Sequence, residues 1–172
     1  TGTATFIGRY FFGPQPAFHV PALVPMGVDA LSALTLCLYA VLGIIVGVAA
    51  AAFVRGLHVF EDLFDKIRNP YVRHGFGMLL DGVLMYVLLT NLGHYYVEGV
   101  GYATVQYIIN CCRGGGGLGL LLLLALFFGK MLATCISLGA GSSGGVFSPS
   151  LFMGATLGAF AGALLAHCER ED

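Results

Sequence analysis

The stretch Gly139-Ala140-Gly141-Ser142-Ser143-Gly144-Gly145-Val146-Phe147-Ser148-Pro149 separates two long apolar runs, residues 118–138 and 150–168. It holds four glycines and three serines, and glycine inside a helix is about 1 kcal/mol less favourable than alanine. Proline suits the first turn of a helix, because its missing N–H would have no partner there. We therefore expect one helix to end before this stretch and another to begin at about Phe147 or Ser148.

The composition is that of a protein whose solvent is mostly lipid. Of the 172 residues, 58% are hydrophobic and only 10% are charged, against about 45–50% and about 25% in a typical soluble domain. Disordered chains are polar and charge-rich, so disorder is excluded as well. The net charge of −1 argues against a nucleic-acid partner. The five cysteines show no metal-ligand spacing, so no metal site is expected.

Four apolar runs predict membrane-spanning helices, over about residues 31–54, 75–93, 118–138 and 146–168. The first has 24 residues without a charge, which is about 36 Å of helix against a hydrocarbon core about 30 Å thick. Residues 55–74 hold half of the positive charges, which predicts a cytoplasmic loop by the positive-inside rule. The expected fold class is all-α: a polytopic membrane protein with broken or re-entrant helices.

A glycine-rich break between two such helices is a candidate binding site. Irregular backbone at membrane depth is tolerated only where it is buried in protein or lines a watery cavity. Glycines before a helix N-terminus let backbone N–H groups face an anion, and the helix dipole adds about half a positive charge. The other interpretation is a tight glycine turn between two packed helices, and the residues alone leave both open. The hydroxyls of Ser142, Ser143 and Ser148 are secondary candidates.

The same break matches the G-x-G-x-x-G pattern of dinucleotide-binding proteins, from Gly139 to Gly144. That site requires a preceding strand in a βαβ unit and an acidic residue about 20 positions further on. A 21-residue apolar run precedes the pattern here, and the next acidic residue is Glu169. The dinucleotide interpretation is therefore rejected.

Asp81 and Lys130 are charged residues inside the apolar runs. Ionisable residues within a membrane indicate a functional site by default. The two side chains could pair with each other, or Lys130 could add positive potential near an anion path. Asp81 lies near the start of its run, and we expect it to reach the membrane interface. Lys130 stays a candidate electrostatic residue.

Gly145, Phe147 and Pro149 form the pattern G-x-F-x-P, in which this chain resembles the CLC family of chloride channels and chloride/proton antiporters. The similarity extends to segments on both sides, namely residues 11–21, 98–102, 129–134 and 150–155. The resemblance implies that residues 1–172 are a fragment of a CLC-type transmembrane domain, with part of its inverted-repeat fold.

The resemblance also implies a binding site. In the family, the helix after G-x-F-x-P points its N-terminus at the central chloride, so the backbone amides of Val146 and Phe147 would bind the anion. Gly144, Gly145 and Ser148 would support them. No catalytic residue, metal or cofactor is implied, and the ligand is the chloride ion itself.

The implied function is chloride transport across a membrane, as a voltage-gated-type channel or a chloride/proton antiporter, and not an enzymatic activity. The implied setting is a homodimer in a lipid bilayer, the plasma (inner) membrane of a bacterium. The family's G-S-G-I-P motif and its G-K/R-E-G-P motif, which carries the gating glutamate, are absent from this chain. The chain therefore does not distinguish a channel from an antiporter.

Two alternatives compete with this interpretation. Another secondary transporter could bind a carboxylate or a cation in the broken helix. A cation would call for an acidic residue in the break, and none lies between Glu98 and Glu169. The second alternative is a membrane enzyme or a purely structural subunit. An enzyme would need a histidine or an aspartate close to the serines at membrane depth, and neither lies near them.

Overall fold

The computed structural model describes residues 6, 7, 9–11, 13, 33–93, 96–113 and 119–168. Residues 6, 7 and 9–11 are helical. Over the other described ranges the chain forms helices and no strand: α1 (Ala33–Asp65), α2 (Pro70–Leu92), α3 (Tyr102–Arg113), α4 (Leu120–Gly139) and α5 (Phe147–Cys168). The all-α fold class is confirmed.

Four of these helices, α1, α2, α4 and α5, are long and apolar enough to cross a membrane. Both α4 and α5 begin and end within two residues of the predicted runs, and α2 begins five residues earlier than predicted. The 12 residues of α3 extend only about 18 Å, which is too short to span a hydrocarbon core of about 30 Å. The prediction of a polytopic membrane protein is confirmed.

The predicted loop over residues 55–74 is wrong in its extent. Helix α1 continues to Asp65 and α2 begins at Pro70, so only residues 66–69 connect them. The 33 residues of α1 extend about 50 Å, well beyond a hydrocarbon core of about 30 Å. A change from apolar to polar residues therefore marks where a helix can leave the lipid, not where the helix ends. The side of the membrane that this connection faces stays a prediction.

Local signals determine the short connection between α1 and α2. Asn69 caps α2, because its Oδ1 accepts a hydrogen bond from the N–H of Tyr71 at 3.0 Å. Pro70 follows in the first turn, where proline is favoured. An ion pair between Arg73 and Asp65 joins the first turn of α2 to the end of α1. These contacts hold the two helices together at the connection.

Helix α4 lies at the centre of the described chain. Of its most apolar window, 50% is buried inside the protein, against 6% for the windows of α1 and α2. It packs against α5, α1 and α2, while α3 packs against α5. Gly139 permits the approach of α1, because a Cβ there would lie 2.9 Å from the backbone carbonyl carbon of Phe60. Gly77 of α2 permits an even closer approach, because a Cβ there would lie 2.1 Å from the Cβ of Ala140, directly after α4.

Candidate anion-binding site

The glycine-rich stretch interrupts the helical backbone between α4 and α5, as predicted. The N–H groups of Ala140, Gly141 and Ser142 still bond to carbonyls of the last turn of α4, at 2.9, 2.9 and 3.0 Å. Residues 142–145 have no regular structure, and α5 begins at Phe147. Gly141 has a φ of +87°, which glycine adopts without the steric penalty of other residues. The turn at Gly141 therefore ends the helical path.

The first turn of α5 leaves several backbone donors unused. Its first backbone hydrogen bond runs from the N–H of Ser150 to the carbonyl of Val146, at 3.1 Å. Pro149 has no N–H. The N–H groups of residues 144–148 have no acceptor within the described part of the chain. Free N–H groups at the positive end of a helix dipole are what an anion needs. The backbone amides of Val146 and Phe147 are among these free donors.

The N-terminus of α5 is open rather than enclosed by the described residues. Val146 is 46% exposed and Phe147 is 75% exposed, whereas Pro149 is buried. A Cβ on Gly145 would meet no atom of the described residues within 4 Å, so the space on that side of the backbone is open. Anion binding by these residues stays a prediction.

The hydroxyl of Ser148 is already engaged within the protein. It donates to the carbonyl of Val100 at 2.6 Å, so its hydrogen is not free to bind an anion. The hydroxyl of Ser150 donates to the carbonyl of Val146, also at 2.6 Å. In this structure the Ser148 hydroxyl thus has a partner other than an anion, and its predicted role as a secondary anion donor stays a prediction. The hydroxyl anchors α5 to the segment before α3, and the backbone N–H of Ser148 is the group that remains.

Lys130 and Asp81 do not pair with each other, since neither belongs to an ion pair formed by the described residues. Asp81 accepts a hydrogen bond from the hydroxyl of Ser137 in α4, at 3.0 Å. Its other oxygen, Oδ1, is buried and receives no hydrogen bond from the described residues. Asp81 thus faces α4, and its position relative to the membrane interface stays a prediction. The face of α2 on which it lies, rather than its depth in the run, decides its surroundings.

Lys130 is buried, with 5% of its surface exposed, and its ammonium group binds backbone carbonyls. Nζ donates to the oxygen of Val97 at 2.9 Å and to that of Gly99 at 2.5 Å. It also lies 5.5 Å from the ring centroid of Phe152 in the second turn of α5, a distance at which a cation is attracted to the ring. Lys130 therefore neighbours α5, but its hydrogens bind the segment before α3.

Arg73 is a charged residue beside the break that sequence reasoning missed. A Cβ on Gly141 would lie 3.1 Å from Nη2 of Arg73, so the guanidinium group lies directly against this glycine. Its Nη1 pairs with Asp65, and its Nε is buried and finds no acceptor among the residues that the structure describes. The Asn-Pro pair at residues 69–70 indicates that Arg73 lies in the first turn of a helix, but nothing in the sequence places that turn beside the break.

A cleft of about 250 Å³ opens between α1 and the end of α4. It is lined by Val54, Leu57, His58, Glu61, Leu138 and Gly139. The cleft begins beside the break but does not include residues 144–148. Within the described ranges, no group of three or more His, Cys, Asp or Glu side chains could hold a metal ion.

Comparisons with known proteins agree with one another. The family described as "Voltage gated chloride channel" matches residues 1–171. The chain is similar to chloride channel protein CLC-f of Arabidopsis thaliana, with 31% identity over 161 residues, covering 91% of this chain and 19% of that protein. It is also similar to the H(+)/Cl(−) exchange transporter ClcA of Yersinia pestis bv. Antiqua (strain Angola), with 30% identity over 167 residues, covering 96% of this chain and 32% of that protein. The ClcA of Vibrio cholerae serotype O1 is 34% identical over 132 residues, covering 76% of this chain and 26% of that protein.

The chain thus spans 19% to 32% of the length of these relatives. No solved structure matches it. The family match extends over nearly the whole chain, and the G-x-F-x-P pattern lies where α5 begins. On this evidence the chain belongs to the voltage-gated chloride channel (CLC) family.

Proposed function

We propose that this protein transports chloride across a lipid membrane and that the backbone amides of Val146 and Phe147 bind the anion on its way. The observation that carries the proposal is the set of N–H groups in residues 144–148 without an acceptor in the described chain. The names of the relatives support it: one is a chloride channel protein and the others are H(+)/Cl(−) exchange transporters. A different class of secondary transporter is not favoured, because the family is that of chloride channels.

Amide donors suit a permeating anion better than a full positive charge does. The N-terminus of a helix carries about half an elementary charge, and a favourable contact with it is worth about 0.3–2 kcal/mol. Conduction requires a site that binds strongly enough to admit the ion and weakly enough to release it. Lys130 is consistent with this chemistry, because its ammonium hydrogens bind carbonyls and it contributes positive potential without holding the ion.

Gly144 and Gly145 support the site in different ways. A Cβ on Gly144 would lie 3.2 Å from Cδ2 of Leu138, so glycine lets the break pack against the end of α4. A Cβ on Gly145 would meet nothing within 4 Å, so glycine there leaves the backbone uncovered. In this proposal Gly144 lets the break pack against the end of α4, and Gly145 lets the anion approach the backbone amides.

The four apolar spans and the family identify an integral membrane protein. We further propose a bacterial plasma membrane as its location, since the ClcA relatives come from Yersinia and Vibrio. The proposal includes a homodimer, from the resemblance to the family, and no cofactor apart from chloride. Enzymatic activity is not proposed, because the relatives are named as channels or exchangers. Because the relatives include a channel and exchangers, the proposal covers both a chloride channel and a chloride/proton antiporter.

Two substitutions of Phe147 test the site. Phe147→Pro removes one N–H at a helix position that tolerates proline, and Phe147→Ala removes the same aromatic ring but keeps the N–H. We expect Phe147→Pro to weaken chloride binding by about tenfold or more, since a hydrogen bond to a charged group is worth about 1.5–3 kcal/mol. We expect Phe147→Ala to stay near the wild type. Binding is measured by chloride titration, and transport by chloride flux from liposomes that hold the complete protein.

Chloride flux and affinity that ignore Phe147→Pro would refute the assignment of the site. Equal loss in Phe147→Ala would also refute it, because the ring and not the amide would then be responsible. A wild-type protein that carries sulfate as fast as chloride would indicate a different anion carrier. Absence of chloride flux in the wild type would refute the function itself.

A further inference from the structure

Lys130 cross-links α4 to a short segment of backbone before α3, residues 96–101, hereafter the 96–101 loop. Its Nζ donates to the carbonyls of Val97 and Gly99. An ammonium group carries three donor hydrogens. The bond to Val97 is buried and the bond to Gly99 is partly buried, and a buried carbonyl requires a donor. No carboxylate of the described residues lies within ion-pair distance of Lys130. The charge is therefore stabilised by the loop backbone, and the loop is held by the lysine.

The same loop also supports the N-terminus of α5. The hydroxyl of Ser148 donates to the carbonyl of Val100 at 2.6 Å. Phe152 is completely buried and contacts Gly101, where a Cβ would lie 2.7 Å from Cδ2 of the ring. Residues four apart lie on one face of a helix, so Ser148 and Phe152 rest on the loop together. The first two turns of α5 are thus seated on this segment.

A third contact joins the lysine to α5 directly, because Nζ of Lys130 lies 5.5 Å from the ring centroid of Phe152. Lysine, loop and helix therefore form one connected set of contacts. Protein interiors are close-packed and transmit displacement, so a shift of the 96–101 loop moves Ser148. The amides of Val146 and Phe147 precede Ser148 directly and move with it.

We propose that Lys130 is a positioning residue for the N-terminus of α5, acting through the 96–101 loop and Ser148 on the direction of the Val146 and Phe147 amides. The inference rests on the proposed function, because those amides are its chloride site. Functional groups have to be held within about 0.5 Å of their working geometry. A small displacement of the amides, caused by loss of the contact between Lys130 and the 96–101 loop, would therefore be enough to weaken chloride binding. The loop route differs from a purely electrostatic role, since it depends on the hydroxyl of Ser148.

A double-mutant cycle on the complete protein tests this route. Lys130→Met removes the ammonium group, Ser148→Ala removes the hydroxyl, and chloride affinity is measured by calorimetric titration in detergent. We expect each single variant to raise the chloride Kd about three- to tenfold, the effect of losing a typical hydrogen bond. The double variant should bind chloride no more weakly than whichever single variant binds it less tightly. The reason is that the effects of substitutions within one network of contacts are not additive. Additive effects would overturn the proposal, since the lysine would then act independently of Ser148.

Thr134→Val is the matched control in the same helix. Thr134 is 8% exposed, and its hydroxyl donates to the backbone carbonyl of Lys130 at 2.8 Å, so the substitution removes a buried hydrogen bond without touching the loop. We expect its chloride affinity to be unchanged, and a loss like that of Lys130→Met would overturn the proposal. If Lys130→Met does not fold, an unchanged affinity in Ser148→Ala overturns it instead. If Phe147→Pro weakens binding while Lys130→Met and Ser148→Ala do not, the proposed site stands and the positioning role fails.

Discussion

Two glycines of α2 predict opposite effects of the same substitution, because their surroundings differ. Gly77→Ala is expected to destabilise the protein, and Gly82→Ala to stabilise it. Both residues lie in the interior of a helix, where alanine is favoured over glycine by about 1 kcal/mol. A Cβ on Gly82 would meet no atom within 4 Å, whereas one on Gly77 would lie 2.1 Å from the Cβ of Ala140.

The magnitude follows from that distance. Carbon atoms in contact prefer a separation of about 3.5–4.0 Å, so Ala140 or α2 would have to move by about 1.5 Å. Overpacking costs about 1–3 kcal/mol, and a separation of 2.1 Å puts this clash in the upper part of that range, about 2–3 kcal/mol. The cost therefore outweighs the gain of about 1 kcal/mol in helix propensity. We expect a net loss of about 1–2 kcal/mol for Gly77→Ala. Gly82→Ala should gain about 0.5–1 kcal/mol.

Thermal unfolding of the complete protein in detergent measures the difference. Cys135 is 2% exposed, so its reaction with a thiol-specific dye, in addition to that of the exposed Cys37, reports loss of the helix packing. The melting temperature should fall for Gly77→Ala and not for Gly82→Ala. Ala140→Gly in the Gly77→Ala background should restore most of the loss, because it vacates the same space. Equal melting temperatures of the two single variants would refute the contact between α2 and the start of the break.

Two further predictions concern stability and use the same unfolding measurement. Gly101→Ala should lower the melting temperature more than Gly99→Ala. Both glycines have a positive φ, +77° for Gly101 and +56° for Gly99. Only a Cβ at Gly101 would meet the ring of Phe152. The extra loss from overpacking is about 1–3 kcal/mol, and equal effects would contradict the contact. Asn69→Ala should lose about 0.5–2 kcal/mol, because it removes the side-chain cap of α2. Asn69→Asp keeps a capping oxygen and should stay near the wild type, and a loss as large as that of Asn69→Ala would argue against the cap.

The helices and the break were predictable because they depend on local properties of the chain. Apolar runs long enough to cross a bilayer predict spans, and α4 and α5 lie within two residues of their predicted limits. The glycine-rich stretch ends α4 for a steric reason that is also local, the positive φ at Gly141. The prediction of a loop over residues 55–74 was wrong because a high density of charges shows where a chain can meet water, not where a helix ends. The cap at Asn69, and not that density, decides where α2 starts.

The partners of the buried polar groups were not predictable in the same way. Lys130 binds carbonyls 33 and 31 residues away, and Ser148 binds one that is 48 residues away. Every residue carries a backbone carbonyl, so no residue type marks Val97 or Gly99 as an acceptor. Arg73 illustrates the same limit, because its place beside Gly141 depends on how α2 packs against the end of α4.

The sequence by itself determined an all-α membrane protein, its four apolar spans and a glycine-rich break before α5. These features follow from hydrophobicity, glycine and proline, whose effects act within a few residues of the chain. Only the tertiary structure decided that Lys130 binds the 96–101 loop rather than Asp81, and that the hydroxyl of Ser148 anchors α5. The physical reason is that such contacts require helices distant in sequence to pack face to face, and the faces are chosen by the whole set of helix contacts.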